Sequence, residues 1–202
     1  MSTLFHRNVE HLFALLLVFL ILGPGCDIFD TRNAEPPKST ASTFIPPTTP
    51  EFVLDNLRSA VAEKNEANYI RCLADTLNMD RRFEFVPTAS AAARYSSVYA
   101  SWSISSEKTY FSTLVALTPP TATSLLDLSG GFTLRTSDSA VYQGTYILTF
   151  PHGIGSAPET VQGNVQFTIA SDRSSFWSIV RWIDSPSGTE PTWSDLKGRF
   201  AY

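Results

Sequence analysis

The 202-residue sequence holds three histidines and two cysteines. No CxxC, HxxxH or HExxH spacing occurs, which excludes the zinc sites built on those spacings. No GxGxxG and no GxxxxGK motif occurs, so nucleotide-phosphate chemistry of either kind is excluded as well. No metal and no cofactor is expected. Basic clusters are also missing, and the formal net charge is −4, which argues against a nucleic-acid partner. His6 and His11 lie in the leader described below, leaving His152 in FPHGIGS, a predicted loop. Any Ser-His-Asp or Cys-His arrangement would have to be built on that residue, and an exposed loop histidine is expected instead. Cys72, in YIRCLAD, reads as a small buried hydrophobe on a helix.

One long apolar run does occur. Leu12 to Leu22, LFALLLVFLIL, has no polar side chain. At about 1.5 Å rise per residue it spans about 16 Å as a helix, roughly half a bilayer core. That length suits a secretory signal better than a spanning helix. Gly23, Pro24 and Gly25 then break the helix immediately before Cys26. The stretch ILGPGC resembles a bacterial lipoprotein signal, in which an aliphatic residue and two small residues precede a cysteine. Gly25 fits that pattern; Gly23 and Pro24 stand where Leu and Ala or Ser are usual. The resemblance implies that residues 1–25 are removed, that Cys26 receives a diacylglyceryl group, and that its new amino terminus is acylated. It also implies an exported protein on a bacterial membrane, the outer one favoured over the inner. Two or more acyl chains hold firmly where one holds marginally. With Cys26 lipidated, Cys72 has no disulfide partner.

Residues 26–49 are rich in Pro, Ser and Thr. Pro36-Pro37 and Pro46-Pro47 favour extended polyproline geometry, so this stretch reads as a tether, with Phe44 and Ile45 available to dock on the folded domain. From Thr49 the pattern changes. Thr49, Pro50 and Glu51 form a helix start, and Val53, Leu54, Leu57, Ala60 and Val61 recur at helical spacing. EANYIRCLAD predicts a second helix and Ser105 to Leu117 a third, capped by Ser103. FEFV predicts a short strand. After Pro120 the chain reads as antiparallel strands, with a turn expected at Gly130-Gly131. Tyr142, Tyr146, Leu148 and Phe150 alternate with polar residues, as do Val161, Val165, Phe167 and Ile169, which predicts a sheet with one buried face. FWSIVRWID reads as a strand covered on both faces, and TWSDLKGRFAY as a final edge strand or turn.

The fold class expected for residues 50–202 is α+β: three N-terminal helices packed on a strongly curved antiparallel sheet of four to six strands. The order resembles the cone fold of ketosteroid isomerase and the nuclear-transport-factor-two-like superfamily. The resemblance is carried by EFVLDNLRSAVAEKNEANYIRCLAD, SSEKTYFSTL and the closing FWSIVRWID. It implies a pocket between sheet and helices, holding in the enzymes an Asp base with oxyanion-stabilising groups. No such role transfers to a residue of this chain. Glu84, Tyr142, Tyr146 and Arg181 are the candidate pocket-lining residues, and no catalytic residue is assigned. Arg181 shares a predicted strand face with Ile179 and Ile183, and a cross-strand carboxylate or an anionic ligand would answer it. The expected function is a membrane-tethered, non-catalytic domain binding an envelope protein or a small hydrophobic ligand. The alternatives are a small pocket enzyme of isomerase or hydrolase type, and a structural subunit that dimerises through the open sheet face carrying Gln143, Thr145, Gln162, Asn164 and Gln166.

Overall fold

The structure is a computed structural model that describes residues 43–77 and 79–201. Cys26, residues 1–25 and most of residues 26–49 lie outside the described residues. Among the described residues no helix is long and apolar enough to cross a membrane.

The described chain is α+β, with six helices and a curled, unclosed sheet of five strands. Helix α1 (Pro50–Ala62) starts where Thr49 turns out of extended backbone and Pro50 supplies a helical φ. It buries Val53, Leu54, Leu57, Ala60 and Val61. Truncating a core residue such as Leu57, at 0% exposure, costs about 2–5 kcal/mol. The helix ends at Lys64, whose φ of 53° leaves the helical region. Helix α2 (Glu66–Arg71) is capped by Asn65, whose side chain accepts the Asn68 N–H. Strand β1 (Glu84–Val86) follows, then two short helices, α3 (Ala89–Arg94) and α4 (Ser96–Tyr99). Helix α5 (Ile104–Leu117) opens with a reciprocal cap between Ser103 and Ser106.

Four long strands come next: β2 (Leu125–Arg135), β3 (Ser139–Thr149), β4 (Thr160–Ser171) and β5 (Trp177–Ser185). The sheet order is β1-β5-β4-β3-β2. The long strands pair antiparallel, and β1 joins β5 in parallel. The inward residues of β3 and β4 are those the alternation predicts: Tyr142, Tyr146, Leu148, Phe150, Val161, Val165, Phe167 and Ile169 are all buried against the helices.

Four expectations are corrected. Gly130-Gly131 is not a turn: β2 runs straight through it. A Cβ on Gly130 would lie 2.2 Å from the Gln143 carbonyl oxygen, and one on its cross-strand partner Gly144 would lie 2.4 Å from that of Ser129. The glycines let two strands pinch together inside the sheet. The C-terminal stretch is a helix, α6 (Trp193–Phe200), started by a reciprocal cap between Thr192 and Asp195. His152 is buried, at 3% exposure. Its Nδ1 accepts the Ile154 N–H at 3.0 Å, so Nε2 carries the proton toward the Pro158 carbonyl at 3.1 Å. Finally, β5 is not uniformly covered. Thr168 pairs with Arg181 but Ile169 pairs with Ile179, so Val180 is a bulge. The extra residue inverts the alternation. Ile179 and Trp182 both point inward at 0% exposure, and Arg181 turns out to solvent.

Candidate functional site

Two places carry chemistry: a buried polar cluster between sheet and helices, and a cleft where the N-terminal segment meets the domain.

The cluster is assembled by α5, α6 and β5. Helix α5 brings in Glu107 and α6 brings in Lys197, both at 0% exposure. Lys197 Nζ donates to Glu107 Oε1. The same oxygen accepts from the Trp102 indole N–H at 2.9 Å, and Oε2 accepts from the Tyr69 hydroxyl at 2.8 Å. Nζ also lies 3.6 Å from the ring centre of Trp182 and 3.8 Å from that of Phe85, within cation–π range. Burial pushes the Lys197 ammonium down to about 8, with the Glu107 charge opposing. Burial raises the Tyr69 hydroxyl, and the Glu107 charge raises it further.

Asp184, at 2% exposure, closes the other end. It accepts the Ser194 N–H at 2.7 Å, the Ser194 hydroxyl at 2.5 Å and the Tyr146 hydroxyl at 2.8 Å. Burial raises the carboxyl, and the bonds from Ser194 and Tyr146 lower it; burial prevails. Tyr146 in turn accepts the Trp193 backbone N–H at 2.6 Å. Gly163 makes room for this hydroxyl, since a Cβ there would stand 2.8 Å from it. Almost every polar atom is answered, which is what lets charges stay in a core. The buried Trp182 indole nitrogen and Tyr142 hydroxyl oxygen have no hydrogen-bond partner among the described residues.

The four residues expected to line a pocket fall on two sides of the sheet. Glu84 and Arg181 face each other across β1 and β5 and form an ion pair, Nε to Oε2 3.1 Å, with both side chains about half exposed on the outer face. Tyr142 and Tyr146 point inward and are buried. The structure therefore does not bring the two pairs into one cavity. Glu107, Lys197 and Ser194 went unread in the sequence, and Asp184 ties β5 to α6 through Ser194. The Thr192-to-Asp195 cap spacing was the available signal for α6. The outer face holds a shallow groove of about 570 Å3 lined by Gln143, Thr145, Asn164 and Gln166. Gln143 donates to Gln166 across the strands at 2.8 Å.

The cleft has a volume of about 390 Å3. One wall is the strap Phe44–Pro47. The buried Asn56 side chain holds the strap by accepting the Ile45 N–H at 2.8 Å and donating to its carbonyl at 2.7 Å. The Pro47 carbonyl accepts the Trp177 N–H at 2.7 Å. Arg71 lays its guanidinium 3.7 Å from the ring centre of Phe44. The tip of the β4–β5 hairpin is another part of the lining. There Asp172 Oδ1 accepts the N–H groups of Ser174 and Phe176 at 2.7 and 2.9 Å. The turn leaves Phe176 44% exposed. Ile70, Leu73 and Met79 form the floor. Among the described residues no group of His, Cys, Asp and Glu is arranged to hold a metal ion.

No protein-family model matches the sequence, and no curated protein does. Solved structures overlap at low identity. A proposed aromatic ring hydroxylase from Novosphingobium aromaticivorans is 11% identical over 73% of this chain and 92% of its own, with a TM-score of 0.48. The Kfla4162 protein of Kribbella flavida is 11% identical over 72% and 91%, with a TM-score of 0.47. A nuclear transport factor 2-like superfamily protein from Salmonella enterica serovar Typhimurium is 12% identical over 68% and 88%, with a TM-score of 0.43. Overlap at this level carries nothing about chemistry. The fold rests on the chain's own topology.

Proposed function

We propose that this chain is a lipid-anchored, non-catalytic binding module that takes a small hydrophobic ligand in the strap cleft. One observation carries the reading. The space between sheet and helices, where a cone-fold enzyme keeps its reacting groups, is filled with side chains. Trp182, Trp193, Glu107 and Lys197 there are all at 0% exposure, and the charges answer one another. Lys197, lowered to about 8, has the character of a reactive amine but no path to a substrate. The strap cleft is open, mostly apolar and of a size that accepts small molecules. Acylation at Cys26 and a proline-rich tether would hold that cleft near a membrane surface.

Two measurements test this. Intact-mass analysis of the membrane-extracted protein is expected to show loss of residues 1–25 and gain of diacylglycerol plus an acyl group, with Cys26→Ser released from the membrane. A mature chain beginning downstream of Cys26 sinks the anchor. For the cleft, 5-fluorotryptophan labelling gives a fluorine resonance for each of the four tryptophans. A neutral probe, 4-phenylbutanol, is expected to move the Trp177 signal. Movement confined to Trp182 and Trp193 would put the ligand inside the core and overturn the reading in favour of an interior pocket.

A further inference from the structure

We infer that the strap cleft selects hydrophobic amines, molecules with an apolar body and a cationic head; this rests on the cleft being the binding site proposed above. Ile70, Leu73, Met79 and Trp177 give the body an apolar bed. Three charged residues stand on the lining: Arg71, Asp75 and Asp172. The cation is engaged, because the Arg71 guanidinium is stacked on the Phe44 ring. The next cation along the hairpin, Arg173, is engaged too, holding Asp80 at 2.6 Å.

The two carboxylates differ from these. Asp75 Oδ1 accepts the Leu77 N–H at 3.0 Å, and Asp172 Oδ1 accepts from its own turn. These bonds fix both carboxylates in place without neutralising them, and neither has an ion-pair partner among the described residues. The lining therefore carries an excess of one negative charge, and among the described residues no hydrogen bond reaches Oδ2 of either aspartate. An ammonium at the rim gains charge-assisted hydrogen bonds to those oxygens and faces the rings of Phe176 and Trp177. A carboxylate head meets two like charges and a guanidinium that must leave Phe44 to help it. The neutral body binds through burial alone. The cleft thus ranks ligands by head-group charge.

Three probes of one shape separate these contributions: 4-phenylbutylamine, 4-phenylbutanol and 4-phenylbutyrate. Each is titrated into the 5-fluorotryptophan-labelled full chain in nanodiscs, and the Trp177 resonance, assigned with Trp177→Phe, is followed. The amine is expected to bind about fivefold or more tighter than the alcohol, a difference of about 1 kcal/mol, and the butyrate more weakly than either. Asp75→Asn combined with Asp172→Asn keeps an acceptor for each turn and is expected to bring the amine down to the level of the alcohol. If alcohol and amine bind equally, charge selection is overturned while the cleft stands. If none of the three moves Trp177, cleft and selection both fall.

Discussion

Replacing Lys197 by Met strands the Glu107 carboxylate in a core where neither side chain reaches solvent. Breaking one side of a buried ion pair costs about 3–5 kcal/mol. The lower end is expected here, because Tyr69 and Trp102 still donate to Glu107. Replacing Glu107 by Leu strands Lys197 among aromatic rings, but an amine already lowered to about 8 can shed its proton, so this loss shrinks above that pH. The double replacement removes both charges at similar volume, and it is expected to lie within about 1 kcal/mol of the parent or above it. The three variants and the parent close a double-mutant cycle by urea unfolding. At about 2–4 °C per kcal/mol for a domain of this size, the Lys197 variant melts about 6–12 °C lower.

A pH series adds a sign. The folded Lys197 pKa lies below the unfolded 10.5, so between the two values the unfolded chain binds more protons. Stability therefore rises from about pH 8 toward pH 10, by up to about 3 kcal/mol. Above pH 10 buried Tyr69 and Tyr110, both raised by burial, work the other way. Their contribution is complete below pH 10 and fades as unfolded tyrosines ionise. The parent should show a stability maximum near pH 9–10, and Lys197→Met should lack the rise. A double variant as damaged as the sum of the singles, or a parent with no rise above pH 8, refutes this account of the core.

The remaining expectations are local. Gly130→Val should destabilise β2–β3 pairing by more than about 2 kcal/mol, because its Cβ would meet backbone rather than a movable side chain; hydrogen exchange at Gln143 and Gly144 reads the loss. Asn56→Leu removes both bonds to Ile45, and limited proteolysis near Phe44 should accelerate while the far-ultraviolet spectrum stays unchanged. Glu84→Gln should cost less than about 1 kcal/mol by chemical denaturation, since the Arg181 pair is half exposed. His152→Leu loses the acceptor for the Ile154 N–H, and a cost of about 1–3 kcal/mol is expected, read as a lowered urea midpoint.

The central strands were legible because each has one wet face, so Tyr142 to Phe150 and Val161 to Ile169 carry their burial in a period of two. Helix α1 was legible because Thr49, Pro50 and Glu51 write a start signal locally. The diglycine misled because its cause is Gly144, a residue thirteen or more positions away that no local window contains. The β5 bulge leaves no mark in an apolar run, so strict alternation placed Arg181 beside Ile179, and one extra residue turned it outward. Helix α6 hid itself differently. A segment with Asp195, Lys197 and Arg199 reads as solvated, and only the cap spacing says helix. That Lys197 faces inward is decided by Glu107, ninety positions earlier. The cleft draws Phe44, Arg71 and Trp177 from three separate segments and could not be read from any one of them.

The strap gives the domain a stiff collar at its entry. Traction on the N-terminal end does not pass into a loose leash ending at Pro50. It arrives first at Thr43, whose N–H and hydroxyl both bond Glu63, next at the doubled Asn56 clasp on Ile45, and then at the single bond from Trp177 to Pro47. Each of the first two points shares the load between two bonds, and the third bears it alone. Peeling past all three would strip away Phe44 and unroof the cleft, so a tug at one end of the molecule becomes release of whatever sits at the other side of that roof.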